Sequence, residues 1–161
     1  TIGEFSSIAH LVAAIRWPQP YYLQVAFQHL RSLVTAAPAT PPQDLIDKAV
    51  DQLIQPGADN DFHHWEKRLE MQLSPDLARL AKALLTQSAT QPSGTRAENL
   101  LATVQQRHPN ATDDEALALF ARLRDILLRD AYWQPDDSTG GRHYHFPLEP
   151  LRRWWNRRNS L

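Results

Sequence analysis

Basic and imidazole side chains gather at two places near the end of this sequence. Arg152, Arg153, Arg157 and Arg158 lie within residues 147–161 against a single acid, Glu149, and Arg142 and His143 stand just upstream. Guanidinium and imidazolium groups in such numbers have the chemistry to contact a phosphate backbone. Imidazoles also pair at His63-His64 and at His143-x-His145. A zinc site needs three or four ligands, and neither segment supplies a carboxylate or a third histidine at ligand spacing, so no metal is expected. Serine, histidine and aspartate all occur, but no Gly-x-Ser-x-Gly elbow presents a nucleophile. No G-x-x-x-x-G-K-[ST] loop exists to cradle phosphates. The five glycines (Gly3, Gly57, Gly94, Gly140 and Gly141) avoid any strand-to-helix turn. The chain therefore reads as one without a catalytic motif.

Composition narrows the class. The 161 residues allow one medium domain or two small ones, and 42% hydrophobic content is enough for a packed core. There is no cysteine, so disulfides and thiolate sites are excluded and a reducing cytoplasm fits best. No apolar run approaches the roughly 20 residues that span a bilayer. A net charge of −1 weighs against strong non-specific DNA binding. The start, Thr1 to Phe5, has no methionine, as expected for a piece of a longer chain.

The elements that must position those groups are mostly helices. Phe5, Ile8, Leu11, Val12 and Ile15 predict a helix over 5–16. Trp17-Pro18-Gln19-Pro20 breaks it, and Pro20 suits the first turn of the next helix, with Leu23, Ala26, Phe27, Leu30, Leu33 and Val34 as its stripe. Ala36 to Pro42 reads as a linker. Leu45, Ile46, Ala49, Val50, Leu53 and Ile54 predict a third helix stopped by Pro56-Gly57, and Phe62, Trp65 and Leu69 a fourth after Asp59-Asn60-Asp61.

Ser74-Pro75 opens a fifth helix faced by Leu77, Leu80, Ala81, Leu84 and Leu85, with a polar loop expected over 86–94. Thr95 with Glu98, and Thr112 with Glu115, have capping-box spacing. The first precedes Leu100, Leu101 and Val104. The second precedes the stripe Ala116, Leu119, Phe120, Leu123, Ile126 and Leu127. A short strand at Tyr132 and Trp133, a Pro/Asp/Gly turn and a return strand over His143, Tyr144, His145 and Phe146 make a hairpin. Leu148, Leu151, Trp154 and Trp155 face one side of a closing helix, where one of the adjacent tryptophans is expected to be only half buried. The fold class is mainly α: a four-helix unit over 1–73, then over 74–161 three helices, a hairpin and a terminal helix. Helix, helix, helix, hairpin is the order of a winged helix-turn-helix domain.

A DNA-reading domain of that kind lays its third helix in the major groove, here Asp113 to Arg129. Its outward face would carry Asp114, Ala118, Ala121, Arg122, Asp125 and Arg129, with Asp113 and Glu115 at its start. Those acids suit the helix dipole but would oppose phosphates, and no Asn, Gln or Lys stands ready to read base edges. DNA contact, if any, would fall to Arg142 and His143 on the wing and to the four terminal arginines.

Three ordered stretches resemble a known family. Ile15-Arg16-Trp17-Pro18-Gln19-Pro20-Tyr21-Tyr22-Leu23-Gln24 is similar to the G-W-P-x-P-Y-Y-L-Q segment of bacterial AAA+-related ATPases of the STAND class. Phe62 to Leu69 resembles their F-x-x-W-x-x-R-L segment, and Tyr144 to Trp155 their closing Y-x-F-x-x-x-x-L-R-x-W-W segment. In that class a helical lid follows the nucleotide-binding core and a winged-helix domain follows the lid. The resemblance implies a lid-like subdomain over 1–73 and a winged-helix domain over 74–161, with Trp17 and Pro18 near the adenine of a bound nucleotide. Arg16 stands where the family pattern has glycine. Read without the resemblance, Trp17 and Pro18 form an inter-helix corner that buries a ring. The resemblance further implies an ATPase core N-terminal to residue 1 as the partner, ATP as the cofactor of the full-length parent and none in this piece. The expected function is a non-catalytic regulatory module coupling nucleotide state to a partner. The alternatives are a DNA-binding winged helix and a helical protein–protein adaptor.

Overall fold

Prolines and capping residues set the helix boundaries in the computed structural model, which describes residues 2–36, 42–55, 60–138 and 140–159. The linker over 37–41, the Pro56-Gly57 stop, Asp59 and the side chain of Phe5 lie outside the described residues. Eight helices and three short strands form among the described residues. They run α1 (Ile2–Ile15), α2 (Pro20–Ala36), α3 (Pro42–Gln52), α4 (Asn60–Gln72), α5 (Pro75–Ala89), β1 (Thr95–Arg96), α6 (Ala97–Arg107), α7 (Asp113–Arg129), β2 (Gln134–Asp136), β3 (His143–His145) and α8 (Glu149–Asn159). None of these helices is long and apolar enough to cross a membrane.

By packing, the chain divides into two units. One contains Thr1–His63 and Leu148–Trp154, the other His64–Pro147 and Trp155–Leu161. The division falls inside α4 and hands the first half of α8 to the first unit, whereas the sequence reading puts one boundary between 73 and 74. The first unit buries Leu11, Ile15, Ala26, Leu30, Ile46 and Val50 from α1, α2 and α3, with Leu151 and Trp154 from α8. The second buries Leu80, Leu84, Leu100, Val104, Phe120 and Leu123 from α5, α6 and α7 around the sheet.

α7 forms as the spacing predicts. The Thr112 hydroxyl accepts from the Glu115 N–H, and the Thr112 N–H donates to the Glu115 carboxylate at 2.7 Å, a complete capping box. The other capping-box spacing is a decoy. Arg96 is the N-cap of α6, with no side-chain cap. Thr95 instead joins β1, opposite Tyr144, and donates its hydroxyl to the Gln87 carbonyl. The expected loop over 86–94 starts later, because α5 runs on to Ala89. Two of its polar residues are satisfied within the helix: Thr86 donates to the Lys82 carbonyl and Ser88 to that of Leu85.

The sheet is antiparallel with order β1-β3-β2. Its first hairpin strand is Gln134–Asp136, not the expected Tyr132 and Trp133. Those two rings are buried while their backbone N–H groups both bond to the Leu127 carbonyl, capping α7 behind a left-handed Ala131. Pro135 is tolerated in β2 because that strand lies at the sheet edge, where a missing N–H costs no ladder bond. Central Tyr144 stacks on Trp133 at 5.2 Å and meets the edge of Phe120 at 6.3 Å. Trp154 and Trp155 are both buried, at 3% and 1% exposure, so the expected half-exposed ring is absent. Trp155 turns its indole N–H to the Thr86 hydroxyl.

The Trp133 indole donates to Ser88 Oγ at 2.8 Å, and Ser88 has no solvent exposure. Ser88→Ala leaves that buried N–H without an acceptor, and the cost is expected to be about 1–3 kcal/mol. A thermal melt of the variant against the parent chain checks this; an unchanged midpoint would mean that the indole has found another acceptor.

Candidate functional site

The corner between α1 and α2 is built by sequence chemistry at close range. α1 ends at Ile15, and Arg16 turns the chain with a φ of 67°, the left-handed region that side-chain-bearing residues rarely adopt. The Arg16 N–H still closes a helical bond to the Val12 carbonyl, and the Gln19 N–H donates to the Trp17 carbonyl at 2.7 Å. Trp17 is half-buried and Pro18 exposed, so both a ring edge and a rigid backbone reach solvent there.

Behind this corner sits a charge cluster that composition alone did not reveal. Glu149, buried at the start of α8, accepts from Nε and Nη2 of Arg152 at 2.8 and 2.6 Å and from Nε of Arg153 at 3.1 Å. The Arg16 guanidinium lies 3.8 Å from the same carboxylate. Arg153 also donates to Asp51 at 3.1 Å and lies 3.6 Å from Asp47. Burial alone would raise the Glu149 pKa. The hydrogen bonds and charge of Arg152, the hydrogen bond of Arg153 and the charge of Arg16 outweigh it and hold the carboxyl below its ordinary value. Glu149 was legible only as one acid among arginines; its i,i+3 and i,i+4 spacing to Arg152 and Arg153 was the available signal.

Aromatic rings complete the first unit's site. Tyr22 stacks on Phe62 at 5.3 Å and 13°, Phe62 on Trp154 at 6.1 Å and 27°, and His63 meets Trp154 edge-on at 5.4 Å. These residues come from the three stretches of family resemblance.

The six basic residues singled out in the sequence differ in burial and pairing. Arg152 is buried and Arg153 half-buried, each bound to carboxylates of the first unit. Arg157 is exposed, and Arg158 pairs with Glu66 at 2.9 Å. At the hairpin, Arg142 donates to Asp137 at 3.0 and 3.2 Å, which holds that carboxyl below the usual range. His143 shares a hydrogen bond between Nδ1 and the Gly141 carbonyl at 2.9 Å. It lines a polar cleft of about 370 Å³ with Gln87, Thr95, Arg96 and Asn99. His143 and His145 flank Tyr144 on one face of β3, as period two requires. Among the described residues, no three His, Asp or Glu side chains are grouped to hold a metal ion.

Comparison with protein-family models, with curated proteins and with solved structures finds no match to this chain.

Proposed function

We propose that this chain is the lid and winged-helix portion of a STAND/AAA+-like ATPase, a non-catalytic module that couples nucleotide state to a partner. The observation that carries the reading is the meeting of Tyr22, Phe62 and Trp154 in one stack. Each belongs to a different one of the three resembling stretches, so their order along the chain has a physical counterpart in packing. Arg16 adds to it: where the family pattern has glycine, this chain holds the left-handed backbone that glycine would favour. The series α5, α6, α7 and hairpin, with β1 pairing onto β3, supports a winged helix for the second unit.

In this reading Trp17 and Pro18 lie beside the adenine, ATP and its phosphate-binding loop belong to a core N-terminal to Thr1, and that core is the immediate partner. The cysteine-free composition suits a cytoplasmic protein. DNA is the weaker partner: α7 presents Asp113, Asp114 and Glu115 where phosphates would lie, and Arg142 is already paired.

The test is photolabelling with 8-azido-ATP of the polypeptide encoded by the complete reading frame. The frame is expected to encode a P-loop upstream, and the label to map to the tryptic peptide from Trp17 to Arg31. A frame without a P-loop, or label found elsewhere, rules the reading out. Anisotropy of a labelled duplex at about 50 and 200 mM salt tests the alternative, since phosphate contacts show as a steep loss of affinity with salt.

A further inference from the structure

Charges on α4 are sorted by face. Glu66 and Glu70 point one way: Glu66 binds Lys82 and Arg158, each at 2.9 Å, and Glu70 also binds Lys82. His64, Lys67, Arg68, Met71 and Gln72 recur at i, i+3, i+4, i+7 and i+8, so they share another face, and all five are exposed. This face lines an open groove of about 370 Å³ that also includes Trp65 and contains no acid. Met71, at 80% exposure, stands in the middle of it as an apolar contact with no cover. Arg68 and Arg129 both reach the Asp130 carboxylate, so one acid offsets only one of those two cations.

The same unit carries the complement. On α7, Asp114, Leu117, Ala118 and Ala121 follow at i, i+3, i+4 and i+7, with Asp113 beside them. Leu117 is 53% exposed. This stripe has carboxylates at its start, one large apolar side chain and then two alanines that let another helix approach closely. The α4 stripe has cations, one large apolar side chain and no acid. We infer that the exposed face of α4 in one copy of this chain docks on the outer face of α7 in a second copy. Lys67 and Arg68 then meet Asp113 and Asp114, and Met71 lies against Leu117, Ala118 and Ala121. The contact is heterologous, each copy using a different face, and it covers the face that a DNA-reading domain would need bare. The inference stands apart from the lid reading, since neither face includes a residue of the Trp17 corner.

Sedimentation equilibrium on the whole chain tests it. The weight-average mass is expected to rise above 18.4 kDa at high protein concentration in about 50 mM salt. It should return to the monomer value near 500 mM, because exposed charge pairs are screened. Lys67→Glu alone and Asp114→Lys alone each place like charges across the contact and should weaken association at least tenfold. An equimolar mixture of the two variants restores one reversed and one native contact, so it should associate within about threefold of the parent chain, a rescue that misfolding cannot mimic. A parent chain that stays at monomer mass at every concentration and salt overturns the inference. So does a mixture no stronger than either variant alone.

Discussion

Glu149→Ala is expected to destabilise the first unit by about 3–5 kcal/mol at neutral pH, the usual result of removing one partner of a buried ion pair. The Glu149 and Arg152 side chains are only 7% and 11% exposed, so the guanidinium would remain largely desolvated after losing its carboxylate. Arg153 suffers less, because Asp51 still holds it. Arg16 loses its ion pair with α8, and with it one restraint on an already unfavourable φ. The effect should depend on pH in a definite direction. Glu149 titrates below its unfolded value of 4.5, so its contribution is fully present above that value and is lost as pH falls through the folded one. The gap between the parent chain and Glu149→Ala in urea unfolding should therefore be full near pH 7 and shrink below pH 4.5. A gap unchanged by acid would show that the carboxyl is held by packing and not by charge. Glu149→Gln, which keeps the shape and loses the charge, should fall between the two.

Gly94→Ala should be comparably severe in the second unit. Gly94 has a φ of +80°, and an added Cβ would lie 2.1 Å from the Tyr144 carbonyl oxygen and 2.6 Å from its carbon. Both obstacles are backbone, so no side chain can swing aside. Left-handed strain of about 1–2 kcal/mol adds to overpacking of about 1–3 kcal/mol, and the register of β1 against β3 is what gives way. Gly140 is the control. Its φ is +73°, but a Cβ there meets nothing within 4 Å, so Gly140→Ala should cost about 1–2 kcal/mol through backbone strain alone. Paired thermal melts check the difference, and equal midpoints for the two variants would mean that Gly94 is not sterically confined.

The parts of this fold that were legible are those where several local signals agree. α7 has a capping box, a 3.6-residue stripe and a basic last turn, and it spans the predicted Asp113 to Arg129. Pro20 and Pro75 open helices as their fixed φ favours. What escaped was decided by distant partners. β1 is two residues long, too short for any period, and exists because Tyr144 and His143 lie opposite Thr95 and Arg96. Tyr132 and Trp133 have strand-like composition, yet the Leu127 carbonyl claims both N–H groups. At the candidate site, Trp17 and Pro18 were singled out by the resemblance alone. The buried state of Arg152 could not, because four arginines in fifteen residues look alike until tertiary packing selects one.

The first unit is discontinuous: it needs Leu148–Trp154 as well as Thr1–His63, with all of 64–147 between them. During synthesis Tyr22 and Phe62 leave the ribosome long before Trp154 exists to stack on them. At ordinary translation rates the wait between Phe62 and Trp154 is roughly 5–20 seconds, far longer than a helix takes to form. For that interval the nascent chain carries an open aromatic surface while the residues of the second unit are still being added. A message cut short before Leu148 would yield a first unit without Leu151 in its core or Trp154 in its aromatic stack.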